Sequence, residues 1–206
     1  MTSKAPAVDR RRQILDAAIR VFARQGFNAC RVSDIAQEAN VAYGLVYHYF
    51  NSKDQVLNEL FVERWSLLLT AIEEADAREI PAREKLDAAA GFIIGSYRHD
   101  PELMKVIIIE VTRAANSFTR THLPDINRAY ESIAKIVRDA QEKGEFRNDI
   151  DPLVASMWFY GAIEQLLTGW VFGIIPDEEG DFERARAMLV ETICRGLEAG
   201  APNGGR

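Results

Sequence analysis

The strongest constraint on how this chain can fold is the spacing of its apolar residues, which return at intervals of three and four from one end to the other. Ile14, Leu15, Ala18, Val21 and Phe22 make one such face, behind Asp9 as N-cap and ahead of Gly26 as a C-terminal glycine. Val32, Ile35, Ala36 and Ala39 make a second, ending at Asn40, a residue that tolerates the left-handed conformation. A third short helix is expected over about 42–49. Ser52, Lys53, Asp54 and Gln55 read as a capping box that opens a long helix towards about residue 77. Helices at about 82–98, 102–117, 124–143, 152–174 and 181–199 follow, punctuated by Asp100-Pro101, Pro124, Gly144 and Asp151-Pro152. No run alternates with period two, so the spacing predicts an all-α chain of nine helices.

Charge divides the chain unevenly. Residues 1–55 hold eight of the 25 Lys/Arg but five of the 31 Asp/Glu, a surplus of three positive charges, while the rest carries nine more acids than bases. A cationic head on an anionic body suggests that the head alone meets a polyanion. The net charge of −6 excludes a uniformly basic nucleic-acid protein. Cys30 and Cys194 are too far apart in sequence for a disulfide framework or the usual zinc spacing. No secretory leader is visible, and the longest apolar run, Leu153 to Ile175, is broken by Glu164 and Gln165. A cytoplasmic protein that does not enter the membrane is expected. Ile80-Pro81 breaks the helical pattern, and the domains are expected at 10–70 and 71–200.

Arg31 to Phe50 carries the chemistry. Two short helices joined by a tight turn, with the amphipathic helix before them, can bury Ile14, Val21 and Phe22 against Ile35, Ala36, Val41 and Val46. The second short helix can then enter a major groove of duplex DNA, whose base edges are read by polar or aromatic tips. Tyr43, Tyr47, His48 and Tyr49 supply many such tips in few residues, and Gly44 permits a close backbone approach. Phe50 is expected in the core. His48 has no second metal ligand one turn on.

Gln13–Asp54 resembles the N-terminal domain of the TetR family of transcriptional repressors. The matching residues are Ile14-Leu15-Asp16-Ala17-Ala18, Phe22, Gly26-Phe27, Asp34-Ile35-Ala36, Val41, Gly44, Val46 to Phe50 and Lys53. The resemblance implies a helix-turn-helix over 31–50 that binds a double-stranded operator. It implies base contact for Tyr43, phosphate contact for Tyr47 and His48, and a backbone grip by Lys53 with the following helix N-terminus. Arg31 and Ser33 would touch phosphate from the other side. Three positions depart from the family pattern: Arg31 and Ala42 stand where Thr or Ser is common, and Leu45 stands where a small hydroxyl residue is common. Leu45 would meet a thymine methyl instead, and Ala42 would border the same contact surface.

The body shows surplus apolar surface. The helix expected over 152–174 is apolar almost all round, and the last helix carries a stripe through Met188, Leu189 and Ile193. The family resemblance implies that these two helices pair across a homodimer, with Phe159, Ile163, Leu167, Met188, Leu189 and Ile193 at the interface. Two recognition helices must lie about 34–36 Å apart to read successive grooves, which also requires a dimer. The family resemblance further implies a small-molecule pocket among the middle helices. Polar groups within apolar runs mark its candidates: Arg113, Asn116 and Glu164, surrounded by Phe92, Tyr97, Ile109, Tyr130, Trp158 and Trp170. The pattern from Trp158 to Trp170 is similar to that of TetR-type regulators of fatty-acid degradation, which implies an acyl-CoA or another hydrophobic inducer. There is no G-x-S-x-G, no glycine-rich phosphate loop and no H-E-x-x-H, so catalysis is not expected, nor is a metal or a cofactor. The expected function is therefore a dimeric repressor released by a lipophilic effector. The rival is a helical protein-interaction module with no affinity for DNA.

Overall fold

The computed structural model describes residues 7–111, 118–178 and 180–198. Nine α-helices account for most of them: α1 Ala7–Gln25, α2 Val32–Glu38, α3 Tyr43–Tyr49, α4 Lys53–Asp76, α5 Ala82–His99, α6 Pro101–Val106, α7 Phe118–Glu142, α8 Pro152–Val171 and α9 Asp181–Leu197. A π-helical stretch, Ile107–Val111, extends α6. Among the described residues the sole β-type pairing is a single bridge between Phe146 and Glu198. No described helix is long and apolar enough to cross a membrane.

The chain divides into two compact units. The first comprises residues 1–64 and 100–120, the second residues 65–99 and 121–206. Helix α4 therefore begins in the first and ends in the second. Helix α6, which lies in sequence beyond the boundary expected near residue 70, belongs with the first unit and packs against α1.

The first unit is built around Ile14, Val21, Phe22, Ile35, Val46, Phe50 and Leu57, all buried. Each such side chain contributes roughly 1.5–3 kcal/mol by leaving water. Helix α2 ends in a left-handed Asn40 with φ 50°. Its N–H bonds the Gln37 carbonyl at 3.0 Å and that of Val41 bonds Ala36 at 3.0 Å, so the orphan carbonyls are satisfied as in a Schellman turn.

In the second unit Leu86 and Ile94 of α5, Ile133 and Ile136 of α7, Phe159 and Ile163 of α8 and Leu189 and Val190 of α9 are buried, with α5 packed on α8 and α9. Tyr97 stacks on Trp170 at 5.7 Å, and Phe182 lies 4.8 Å from Trp170, whose indole N–H donates to the Pro176 carbonyl at 3.0 Å. Lys85 is buried, but its ammonium donates to the Asp76 carbonyl at 2.5 Å and carboxylate at 3.1 Å, which closes the last turn of α4.

Three helix limits differ from the sequence reading. The helix expected over 102–117 is α-helical only to Val106 and widens at Ile107–Ile109, where consecutive β-branched residues crowd an α-turn. Residues 112–117 lie outside the described residues. Pro124 was expected at a helix start, yet it lies inside α7, which begins at Phe118. Helix α8 stops at Val171 rather than 174 because Gly173 takes φ 64°. Its N–H bonds Trp170 at 3.0 Å and that of Ile174 bonds Gly169 at 2.8 Å, a second Schellman closure.

Candidate nucleic-acid interface and ligand site

Helix α2 is held on α1 by side chains that leave its start open. Arg20 and Arg24 both reach Glu38, at 2.8 and 3.1 Å, and Gln13 donates to the Ala39 carbonyl at 2.6 Å. At the other end the Asp34 carboxylate accepts the Arg31 backbone N–H at 2.8 Å and the Gln25 amide at 3.0 Å. These bonds hold the Asp34 carboxyl below its ordinary range. They also supply a cap that the Arg31 side chain lacks. The Arg31 and Ser33 side chains are exposed.

Helix α3 is anchored by its inner side. Val46 and Phe50 are buried, which leaves Tyr43, Gly44, Tyr47 and His48 facing outward. Tyr43 is 53% and Tyr47 44% exposed, large values for aromatic residues one turn apart. The Tyr43 hydroxyl lies 3.2 Å from that of Tyr47 and their rings meet edge to face at 5.1 Å. The shared hydrogen bond raises the Tyr43 phenol above its usual value. A Cβ on Gly44 would meet nothing within 4 Å, so the backbone there is open to an incoming surface. Leu45 is half-buried and Ala42 exposed. Ala42 gives α3 no side-chain cap, as its residue type requires.

Lys53 lies differently from the simple phosphate grip expected of it. Its ammonium donates to the carbonyls of Phe27, Asn28 and Cys30 at 2.7, 3.3 and 2.9 Å and lies 4.5 Å from the centre of the Phe27 ring. All three donors are spent on tying the α1–α2 loop to the start of α4, so the charge remains but the hydrogen bonds do not. Lys53→Met is expected to destabilise the first unit by about 1–3 kcal/mol, because partly buried carbonyls lose their donor. Chemical denaturation of the full chain measures it. The other cations of the head are also largely paired: Arg11 with Glu59, and Arg12 with Asp16 and Glu63.

In the second unit the expected ligand residues separate. Tyr130 on α7 meets Tyr160 on α8 edge to face at 5.6 Å, and Trp65 of α4 approaches Tyr160 at 6.1 Å. Glu164 stands one turn beyond Tyr160. Burial, and after it the neighbouring Glu164, raises the phenol of Tyr130 and, strongly, that of Tyr160, and burial raises Glu164 itself. Tyr160 and Trp65 were not singled out from sequence, although the four-residue spacing of Tyr160 and Glu164 was the available signal. Tyr97 and Trp170 belong instead to the ring cluster with Phe182. Phe92 is half-buried on α5. Ile109 falls in the first unit, and Arg113 and Asn116 lie outside the described residues. Trp158, expected in a pocket, is 56% exposed on the outer side of α8.

Of the residues expected at a dimer interface, the subunit itself buries most on α8. Phe159, Ile163 and Leu167 are 1%, 0% and 3% exposed inside the subunit and have no area left for a partner. Met188 is 70% exposed, and with Leu189 and Ile193 it lines an open groove of about 510 Å³ between α8 and α9, which also takes in Ala162, Leu166 and Ala185. Trp158 and Met157 add exposed apolar area on α8.

Comparison with known proteins is consistent along the chain. Residues 14–60 match the bacterial regulatory proteins, tetR family, and residues 83–193 match the tetracyclin repressor-like C-terminal domain. The fatty acid metabolism regulator protein of Bacillus subtilis (strain 168) is 29% identical over 186 residues, covering 90% of this chain and 94% of that protein. The crystal structure of the transcriptional regulator FadR from Bacillus subtilis in complex with stearoyl-CoA superposes with a TM-score of 0.80 at 26% identity, covering 91% of this chain and 99% of that one. The fatty acid degradation regulator FadR from Bacillus halodurans shares the fold, with a TM-score of 0.82 at 24% identity over 97% of this chain and 100% of that one. With both of its parts matched, this chain belongs to the TetR family of transcriptional regulators.

Proposed function

We propose that this regulator is a homodimeric repressor that binds a palindromic operator and is released by an acyl thioester. One observation carries the DNA reading: α3 is fixed by Val46 and Phe50 on one side while Tyr43, Gly44, Tyr47 and His48 stand out on the other. Base edges fall to Tyr43, with Leu45 beside a thymine methyl, and phosphates to Tyr47, His48, Arg31 and Ser33. Ala42 and Gly44 keep the backbone close, and the Lys53 charge adds attraction without a donated bond. The exposed apolar residues Met157, Trp158 and Met188, with Ile193 half-buried beside them in the groove, support a twofold dimer through α8 and α9, which would set the two α3 helices one turn of DNA apart. Such a regulator works in the cytoplasm, where its operator lies.

The effector reading rests on the relatives, one of which is a regulator held with stearoyl-CoA. A ligand in the second unit can act on the heads through α4, which runs from one unit into the other, and through α6, which belongs with α1 while its neighbours α5 and most of α7 belong to the second unit. A ligand that prefers one of two head arrangements needs a coupling of roughly 1–3 kcal/mol, about 5–150-fold in operator affinity. The test is fluorescence anisotropy on DNA flanking its own gene, titrated with acyl-CoA species of increasing chain length. Operator binding weakened within that range supports the reading. Unchanged affinity at saturating acyl-CoA rejects the effector class, and no binding to any fragment at modest salt rejects the repressor.

A further inference from the structure

The positive charge of the head is mostly engaged within the head itself. Among the described residues, Arg10 donates to Gln13 at 2.9 Å, Arg11 pairs with Glu59, Arg12 with Asp16 and Glu63, and Arg20 and Arg24 share Glu38. Lys53 gives its protons to three carbonyls. Arg31 is the exception. Its side chain is exposed and, among the described residues, its guanidinium closes no hydrogen bond or ion pair and acts on Asp34 through charge alone.

The backbone beneath that side chain is clamped. The peptide unit joining Cys30 to Arg31 is held at both of its polar ends: the Cys30 carbonyl accepts from the Lys53 ammonium at 2.9 Å, and the Arg31 N–H donates to the Asp34 carboxylate at 2.8 Å. Asp34 is fixed in turn by the Gln25 amide at 3.0 Å. Lys53 lies three positions beyond Phe50, the residue that closes α3, so the clamp brings Arg31 near the end of the helix that displays Tyr47 and His48. A guanidinium carries five donors in a planar fork that matches phosphate oxygens two bonds at a time. Fixing its backbone in advance lowers the entropy cost of using it. The ammonium of Lys53, with its protons already given to carbonyls, offers no such bond.

We infer that Arg31 is the ionic grip of the head on DNA phosphate, in the role expected of Lys53, and that Lys53 and Asp34 are positioning residues that hold it there. This rests on the operator-binding reading above and assigns the ionic part of that binding to one side chain. Fluorescence anisotropy of the full-length protein over a salt series, on duplex flanking its own gene and on a scrambled duplex, tests it. Arg31→Gln is expected to flatten the slope of log affinity against log salt by roughly 2, about 0.9 for each of two copies, and to weaken both duplexes by the same factor. Arg31→Lys keeps the charge and is expected to keep the slope. Arg24→Gln removes a cation already paired with Glu38 and is expected to leave the slope within about 0.5 of the parent's. Lys53→Met, checked as folded by circular dichroism, is expected to weaken binding far less in the Arg31→Gln background than in the parent, because its effect passes through Arg31. Asp34→Asn, which weakens the other end of the clamp, is expected to behave alike. A slope unchanged in Arg31→Gln, a slope flattened as much in Arg24→Gln, or a loss confined to one duplex overturns the inference and leaves the operator reading standing. Fully additive losses for Lys53→Met and Asp34→Asn overturn the positioning role. A parent that binds neither duplex overturns both readings.

Discussion

Phe159→Ala is expected to cost roughly 3–5 kcal/mol of folding stability, whereas Trp158→Ala, one residue away, is expected to leave the subunit within about 0.5 kcal/mol of the parent. Phe159 is fully enclosed between α8 and the rest of the second unit, so truncation leaves a cavity that rigid neighbours only partly fill. Trp158 faces away, and truncating it removes little that the subunit itself buries. In the proposed dimer its effect is expected on self-association: the exposed surface with Met188 loses a large ring, and association is expected to need a higher protein concentration. Urea denaturation at several protein concentrations separates the two. The Phe159→Ala loss persists at every concentration, and the Trp158→Ala loss appears only where the parent is dimeric. Equal destabilisation by both at low concentration would remove the assignment of faces made here.

That pair of residues also shows where sequence reading reaches its limit. A helix apolar on nearly every side, as α8 is, has no stripe, so periodicity cannot tell Phe159, which the subunit buries, from Trp158, which it leaves exposed. Amphipathic elements were legible for the opposite reason. Ile14, Val21, Phe22, Ile35 and Val46 form one face each, and all enter the core that their spacing predicts. Local closures were legible too: Asn40 and Gly144 take the positive φ expected of residues ending helices. Gly173 does the same, but apolar residues continue beyond it, so the pattern does not mark the helix end there. Tertiary contacts were not legible at all. The carbonyls that capture Lys53 lie 23 to 26 positions away, and nothing in the local pattern announces them. The meeting of Tyr130 with Tyr160 depends likewise on how α7 packs on α8, while Glu164, an acid in an apolar run, declared itself from sequence alone.

Tyr43→Ala is expected to weaken operator binding by about 2–6 kcal/mol, since each base-edge contact is worth about 1–3 kcal/mol and a twofold complex contains it twice. The change should leave the fold untouched, because the Tyr43 ring is exposed and its one polar contact is with the equally exposed Tyr47. Tyr47→Phe is the informative companion. It keeps the ring that flanks Tyr43 but removes the hydroxyl that shares its hydrogen bond, so on the proposed assignment a phosphate contact is expected to be lost and base reading kept. Tyr43→Ala is therefore expected to compress the ratio of specific to non-specific affinity, whereas Tyr47→Phe weakens both alike. Binding isotherms on the operator and on a scrambled duplex at matched salt give both ratios, since phosphate contacts alone set the salt dependence. If Tyr43→Ala lowers the two affinities by the same factor, Tyr43 grips the backbone and base readout passes to Leu45 and Tyr47; if it lowers neither, α3 is not the reading helix.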